Sequence, residues 1–247
     1  MSATLGVEPP GNIGRDPRGM RAITIRIPAA KRILDFGCGT GWFLAEAQVD
    51  GSPFRVGVDY SLESLSGQNG VPRLQTGQVN PVRLVSADGL HLPFAGQSFD
   101  AVVGHVSMPY MDTCEALREV HRVLIPGGSF LLTFHSFNYL WQRVSKGLRS
   151  GNWRDIVYMS YVGTNGLLNH FNLPQRRAWW KRNHFETVNT PRGVHLAARE
   201  AGFVGISTET RTKRIFFAVA GQKPSDGGDV TPLPEAVYPV PTSRDSI

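Results

Sequence analysis

The residues best suited to chemistry lie at the ends of short apolar runs. Three glycines alternate in Asp35-Phe-Gly-Cys-Gly-Thr-Gly41, directly after the run Arg32–Phe36 and before a helix-like stretch. Glycine tolerates positive φ and lets a ligand lie against bare backbone, and a helix N-terminus behind such a turn favours negative charge. Asp59 closes a second run, Phe54–Asp59, where a carboxylate can accept hydrogen bonds from two ribose hydroxyls. Asp88 follows a third run, Val82–Ser86. His105 and His135 follow a fourth and a fifth, Phe99–Val103 and Ser129–Phe134. Imidazole titrates near neutral pH, so either histidine can serve as a general base if it faces the same crevice. The set predicts a pocket for a ribose-bearing ligand, with a base beside it.

The turn departs from the dinucleotide pattern Gly-x-Gly-x-x-Gly. Its last glycine comes one residue early, and Trp42 stands where a pyrophosphate would lie. That spacing counts against a nicotinamide-dependent oxidoreductase. Cys38 reads as a small filler of the turn. The seven histidines do not cluster with acids at ligand spacing, so no metal is expected.

The elements that must position these residues follow from periodicity. The five runs are apolar on both alternating faces, as in parallel strands covered by helices on each side. A helix is expected over Thr113–Leu124, with Asp112 as N-cap, Glu115 as its reciprocal partner, and Ala116, Leu117, Val120, Val123 and Leu124 on one face. Pro126-Gly127-Gly128 should then turn the chain into the next strand. Another helix is expected over Gly193–Ala201, and a third after Gly41. Ser61 is a plausible cap for a short or irregular helix in 61–78. Val204–Arg211 and Arg214–Ala220 are strand-like and joined by so short a link that they must be antiparallel. The expected product is a mostly parallel α/β sheet with one antiparallel strand near its end.

Taken in order, Asp35-Phe-Gly-Cys-Gly-Thr-Gly41, Val58-Asp-Tyr-Ser61, Ala87-Asp-Gly-Leu-His-Leu-Pro-Phe94, Ser98-Phe-Asp-Ala-Val102 and Arg122-Val-Leu-Ile-Pro-Gly-Gly128 resemble the class I methyltransferases that use S-adenosylmethionine (SAM). The likeness is to the small-molecule, ubiquinone- and menaquinone-biosynthesis-like branch. It spans about residues 31–136 and, more loosely, 192–221. The resemblance implies a Rossmann-like, doubly wound, seven-stranded sheet and SAM as cofactor. It sets Asp35, Gly37, Cys38, Gly39 and Gly41 beside the methionine part, Asp59 on the ribose and Tyr60 against the adenine. It gives Asp88 the adenine amine, with Gly89 and Leu90 closing that pocket, and puts His105 near the sulfonium and the acceptor. There is no Asn/Asp-Pro-Pro-Tyr motif after the fourth run, and no Pro-Cys nucleophile. Both absences point away from nucleic-acid methylation. A SAM-binding partner protein without turnover is the non-enzymatic alternative.

Charge is unevenly spread. The chain carries a net +6, and Phe137–Pro191 alone holds eight basic and two acidic residues, which equals that excess. The same stretch contains Trp141, Trp153, Trp179 and Trp180, four of the five tryptophans. We expect 21–221 to form the domain, with 138–191 a mainly helical insertion that covers the acceptor. Its aromatics would suit a ring or lipid-like acceptor and its cations an anionic one. The mixture also suits contact with an anionic membrane surface; RNA lacks any recognisable binding module here. Residues 1–20 and 222–247, rich in Pro, Gly, Ser, Thr and Asp, are expected to be flexible tails. Two cysteines, Cys38 and Cys114, fit a reducing compartment. No apolar run marks a leader or a membrane span, so a cytoplasmic location is expected.

Overall fold

The computed structural model describes residues 24–27, 30–45, 48–49, 54–67, 82–178, 185–209, 215–225, 227 and 235–237. In chain order the elements begin with β1 (Thr24–Ile27), β2 (Arg32–Phe36), α1 (Trp42–Ala45), β3 (Gln48–Val49), β4 (Phe54–Asp59) and α2 (Leu62–Ser66). Next come β5 (Arg83–Ser86), β6 (Phe99–Gly104), a 3-10 turn (Met108–Tyr110), α3 (Thr113–Val123) and β7 (Leu124–His135). The chain continues with α4 (Phe137–Ser150), α5 (Trp153–His170), α6 (Pro191–Glu200), β8 (Val204–Glu209), β9 (Phe216–Gln222) and β10 (Glu235–Val237).

The large sheet has seven strands in the order β5-β4-β2-β6-β7-β9-β8. β9 runs antiparallel to both of its neighbours, and every other pairing is parallel. This is the Rossmann-like arrangement expected. A small sheet, β10-β1-β3, pairs strands from near the two ends of the chain. Its strand β10 lies within 222–247, a stretch whose remaining residues past 227 fall outside the described residues.

Alternate residues of the buried strands serve two cores. Leu34, Phe36, Val102, Leu132 and Phe134 pack with α3 and α6 on one face. Ile33, Ala101, Val103, Leu131 and Ala218 pack with Phe43 and Leu44 on the other. The continuous apolar character of the runs is thus explained by helical cover on both faces. Leu117, on the buried face of α3, is wholly inaccessible. Leu117→Ala is expected to cost about 2–5 kcal/mol of stability, which urea unfolding would measure; a loss below 1 kcal/mol would mean that this face is not packed as described.

Local signals mostly act as read. Asp112 caps α3, its Oδ1 accepting the amides of Cys114 and Glu115 at 3.0 and 3.1 Å. Ser61 caps α2 through Oγ and the Ser64 amide, and Gly67 ends that helix; residues 68–81 lie outside the described set. The chain just beyond α3 differs from expectation. The helix stops at Val123, and Leu124 already pairs with Phe99 as a strand residue, so Pro126-Gly127-Gly128 lies within β7. Lys223 makes this abrupt exit workable. Its ammonium donates to the carbonyls of His121 and Leu124 at 2.9 and 2.8 Å, satisfying oxygens that a longer helix would have used.

Candidate functional site

The strand order reverses at β2, with β4 on one side and β6 on the other. The loops leaving their carboxyl ends therefore diverge and open a crevice. The crevice is a cleft of about 1040 Å3. Its lining includes residues 35–40 at the end of β2 and beyond it, Asp59 to Ser61 at the end of β4 and beyond it, Ala87 to Leu90 after β5 and His105 to Ser107 after β6. Asp35, Gly37, Cys38, Gly39, Asp59, Tyr60, Asp88, Gly89, Leu90 and His105 are thus brought together. Gly41 and His135 are not part of the lining.

Each acid is held differently. Asp59 accepts the amide of Gly39 through Oδ2 at 2.9 Å and that of Ser61 through Oδ1 at 2.8 Å. The carboxylate is pinned between the glycine turn and the cap of α2, and each oxygen keeps a lone pair. Asp88 accepts the Leu90 amide at 2.9 Å and stays half exposed. Tyr60 is 80% exposed at the rim.

Asp35 is the anomaly. It is 1% exposed, and neither oxygen meets a hydrogen-bond partner of normal geometry. Burial, with the neighbouring Asp59 charge adding to it, pushes its carboxyl up to about 8, against a pull from the Leu44 amide. An acid so placed at the floor of a cleft is suited to a cation. Its energetics have a sign that can be worked out. Between the ordinary carboxylate range near 4 and about 8, the folded state keeps a proton that the unfolded chain has lost. Stability therefore falls as pH rises through that window. Asp35→Asn is expected to flatten the slope, checked by urea unfolding from about pH 5 to about pH 8.

The glycine turn is sterically committed. Gly37 has φ +74°, and a Cβ there would lie 2.1 Å from Cβ of Ser107. The close approach brings the loop after β6 against the turn, which ties the two sides of the crevice together. Cys38 is buried beneath Gly57, burial raising its thiol well out of the reactive range, as befits a filler.

The two histidines part company. His105 lines the cleft, stacked on Phe43 at 4.9 Å between ring centres and edge-on to Phe216 at 5.9 Å. His135 is buried, stacked on Tyr139 at 3.9 Å, and edge-on to Tyr110. Burial first, then the charges of His105 and Arg143, lower it to about 4, so it stays neutral through the physiological range. Among the described residues no group of three or more His, Cys, Asp or Glu is placed to hold a metal ion.

Ser107 and Met111 from the 3-10 turn region, and Gln175 from the segment between α5 and α6, line the cleft without any sequence signal; Tyr110, a weaker candidate base by sequence, and Arg177 and Phe185 of the basic, aromatic insertion line it with them. Gln175 accepts the Thr113 amide at 3.2 Å and donates to Thr187 Oγ1 at 2.9 Å. The Thr187 amide donates to the Pro109 carbonyl at 2.8 Å. These bonds fasten the insertion to the rim of the cleft at α3 and the 3-10 turn. Trp141 and Trp153 do not line the cleft and are 70% and 65% exposed; Trp179 and Trp180 lie outside the described residues.

Fold and site together define a Rossmann-like α/β protein whose switch-point crevice is dressed for a nucleoside. Its residues 34–132 match a family model described as a methyltransferase domain. The chain is 36% identical to a demethylmenaquinone methyltransferase of Staphylococcus epidermidis over 108 residues, 42% of this chain and 43% of that one. It is 38% identical to a demethylmenaquinone methyltransferase of Roseiflexus castenholzii over 117 residues, 45% and 47% of the two chains. The matches thus span less than half the length of these relatives. Among solved structures, a S-adenosylmethionine dependent methyltransferase from Mesorhizobium loti superposes with a TM-score of 0.51 at 18% identity, covering 80% of this chain and 92% of that one. The fold is accordingly that of class I SAM-dependent methyltransferases.

Proposed function

We propose that the chain is a SAM-dependent methyltransferase acting on a small-molecule acceptor. The observation that carries this reading is the convergence of the pinned Asp59, the half-exposed Asp88 and the unsatisfied Asp35 on one glycine-floored cleft. Asp59 would receive the ribose hydroxyls and Asp88 the adenine amine, while Asp35 would face the ammonium of the methionine part. When bound, SAM supplies a methyl carbon already activated by a sulfonium. The protein then has to align the acceptor in line with it and exclude water.

The acceptor side is lined by Phe43, His105, Tyr110 and Phe185, with the exposed Arg177 at its edge. These residues favour a ring-bearing acceptor with an anionic or strongly polar substituent. The relatives' names make demethylmenaquinone a first compound to try. His105 is the base of this reading, holding the proton that such an acceptor must release, and His135 supports the fold around it. The insertion, tied down by Gln175 and Thr187, acts as the wall that selects the acceptor.

Titration calorimetry with SAM, S-adenosylhomocysteine and NAD tests the cofactor, and NAD as the preferred ligand would sink the proposal. Turnover of labelled SAM in a metabolite extract, with mass spectrometry of the product, tests catalysis and identifies the acceptor. Binding without turnover in any fraction would leave a SAM-binding partner protein instead. Calorimetry has a further readout: a cation at Asp35 drives off the proton the empty site retains. SAM binding near pH 7 is therefore expected to release up to about one proton, seen as a dependence of the heat on the buffer's ionisation enthalpy and absent in Asp35→Asn.

A further inference from the structure

The helical hairpin α4–α5 carries a surface that the cleft does not use. Its inner seam is tight: a Cβ on Gly147 would meet Ile156 Cγ1 at 3.0 Å, and Arg143 bridges to Asp155 at 2.6 Å. Tyr158, Met159 and Val162 of α5 bury against Val188, anchoring the hairpin's base. Toward the turn at Gly151-Asn152 the burial fades. Beside the turn Leu148, Trp153 and Val157 are all more than half exposed, and Trp141 is exposed farther back along α4. Lys146, Arg149 and Arg154 are exposed among them, and the Arg154 guanidinium sits over the Trp153 ring at 5.7 Å. The hairpin's one acid, Asp155, is taken up by Arg143. The tip therefore presents tryptophan, aliphatic and uncompensated positive charge together.

We propose that the tip of α4–α5 docks on an anionic lipid surface. Tryptophan is favoured at the boundary between headgroups and acyl chains, where its ring is apolar and its N–H stays wet. Leu148 and Val157 gain by entering the acyl region, whereas a nucleic-acid backbone offers such aliphatic groups nothing. Lys146, Arg149 and Arg154 complement the negative potential of acidic headgroups. The inference does not rest on the methyl-transfer reading, since none of these residues lines the cleft.

The test uses the full chain and vesicles of phosphatidylcholine alone or with about one third phosphatidylglycerol. Co-sedimentation is expected on the mixed vesicles, much weaker on the neutral ones, and reduced by salt. Lys146→Glu, Arg149→Glu and Arg154→Glu together should lower binding about 100-fold or more, and Leu148→Ser with Trp153→Ser should lower it while leaving circular dichroism unchanged. Equal binding to both vesicle types, or binding undiminished in the two variants, overturns the proposal. Sedimentation velocity supplies the other exit: if the parent chain is a dimer that the same substitutions split, the tip joins two copies and lipid docking is wrong.

Discussion

Asp59→Ala is expected to weaken SAM binding by about 100-fold or more, with little turnover left at ordinary ligand concentrations. Hydrogen bonds to a charged acceptor contribute about 1.5–3 kcal/mol each, and two ribose hydroxyls would be lost at once; a total of about 3 kcal/mol is already about 100-fold. The substitution also removes the acceptor that holds the Gly39 amide, so the glycine turn would relax. Asp59→Asn separates these effects. Its carboxamide oxygen can still accept one of the two backbone amides, so the turn should be held better while charge-assisted ribose contacts are lost. Calorimetry of the two variants, with thermal unfolding of the ligand-free chains as control, checks the expectation. Unchanged affinity in the alanine variant would mean that the ribose lies elsewhere.

His105→Ala is expected to lower kcat by about 100–10,000-fold, the usual contribution of a positioned base, while SAM affinity changes by less than about tenfold. Its place in the cleft and its stacking on Phe43 give the reason: the ring is fixed between the loop after β6 and α1, where the proposed reading seats the acceptor. The pH profile discriminates this role from a structural one. A base acting in its neutral form gives an acid limb in kcat/KM, and that limb should vanish in the variant. His135→Ala should instead leave the limb in place and reduce stability, because His135 is buried against Tyr139 and already neutral above about pH 4. Should His135→Ala remove the limb and His105→Ala keep it, the assignment must be reversed.

Much of the sheet was legible because burial on both faces writes itself into the sequence. Leu34 and Ile33 point to opposite cores, yet both must be apolar, so Arg32–Phe36 reads as one unbroken strand. Asp112 and Ser61 were equally legible, since a cap depends on residues two or three positions away. The end of α3 falls within one residue of its expected place, whereas the lie of Pro126-Gly127-Gly128 inside β7, beside an exit stabilised by Lys223 about one hundred residues on, is something no local pattern can reveal.

The site divides along the same line. Asp59 and Asp88 stand at strand ends, where position alone brings them to the crevice. Gln175, Arg177 and Phe185 reach it only because the insertion folds back and bonds to Thr113 and Pro109. Composition suggests the aromatics of that insertion over the acceptor, and one of them, Phe185, does line the cleft. Composition cannot tell the inside of a hairpin from its outside, and Trp141 and Trp153 lie on the outside.

The small sheet has a bearing on how this chain can be cut. Thr24 pairs with Val237 and Arg26 with Glu235, so two segments more than two hundred positions apart share a single ladder. Trimming either one leaves the other with unanswered amides and carbonyls, and a pair of deletions should therefore cost less than the sum of each alone.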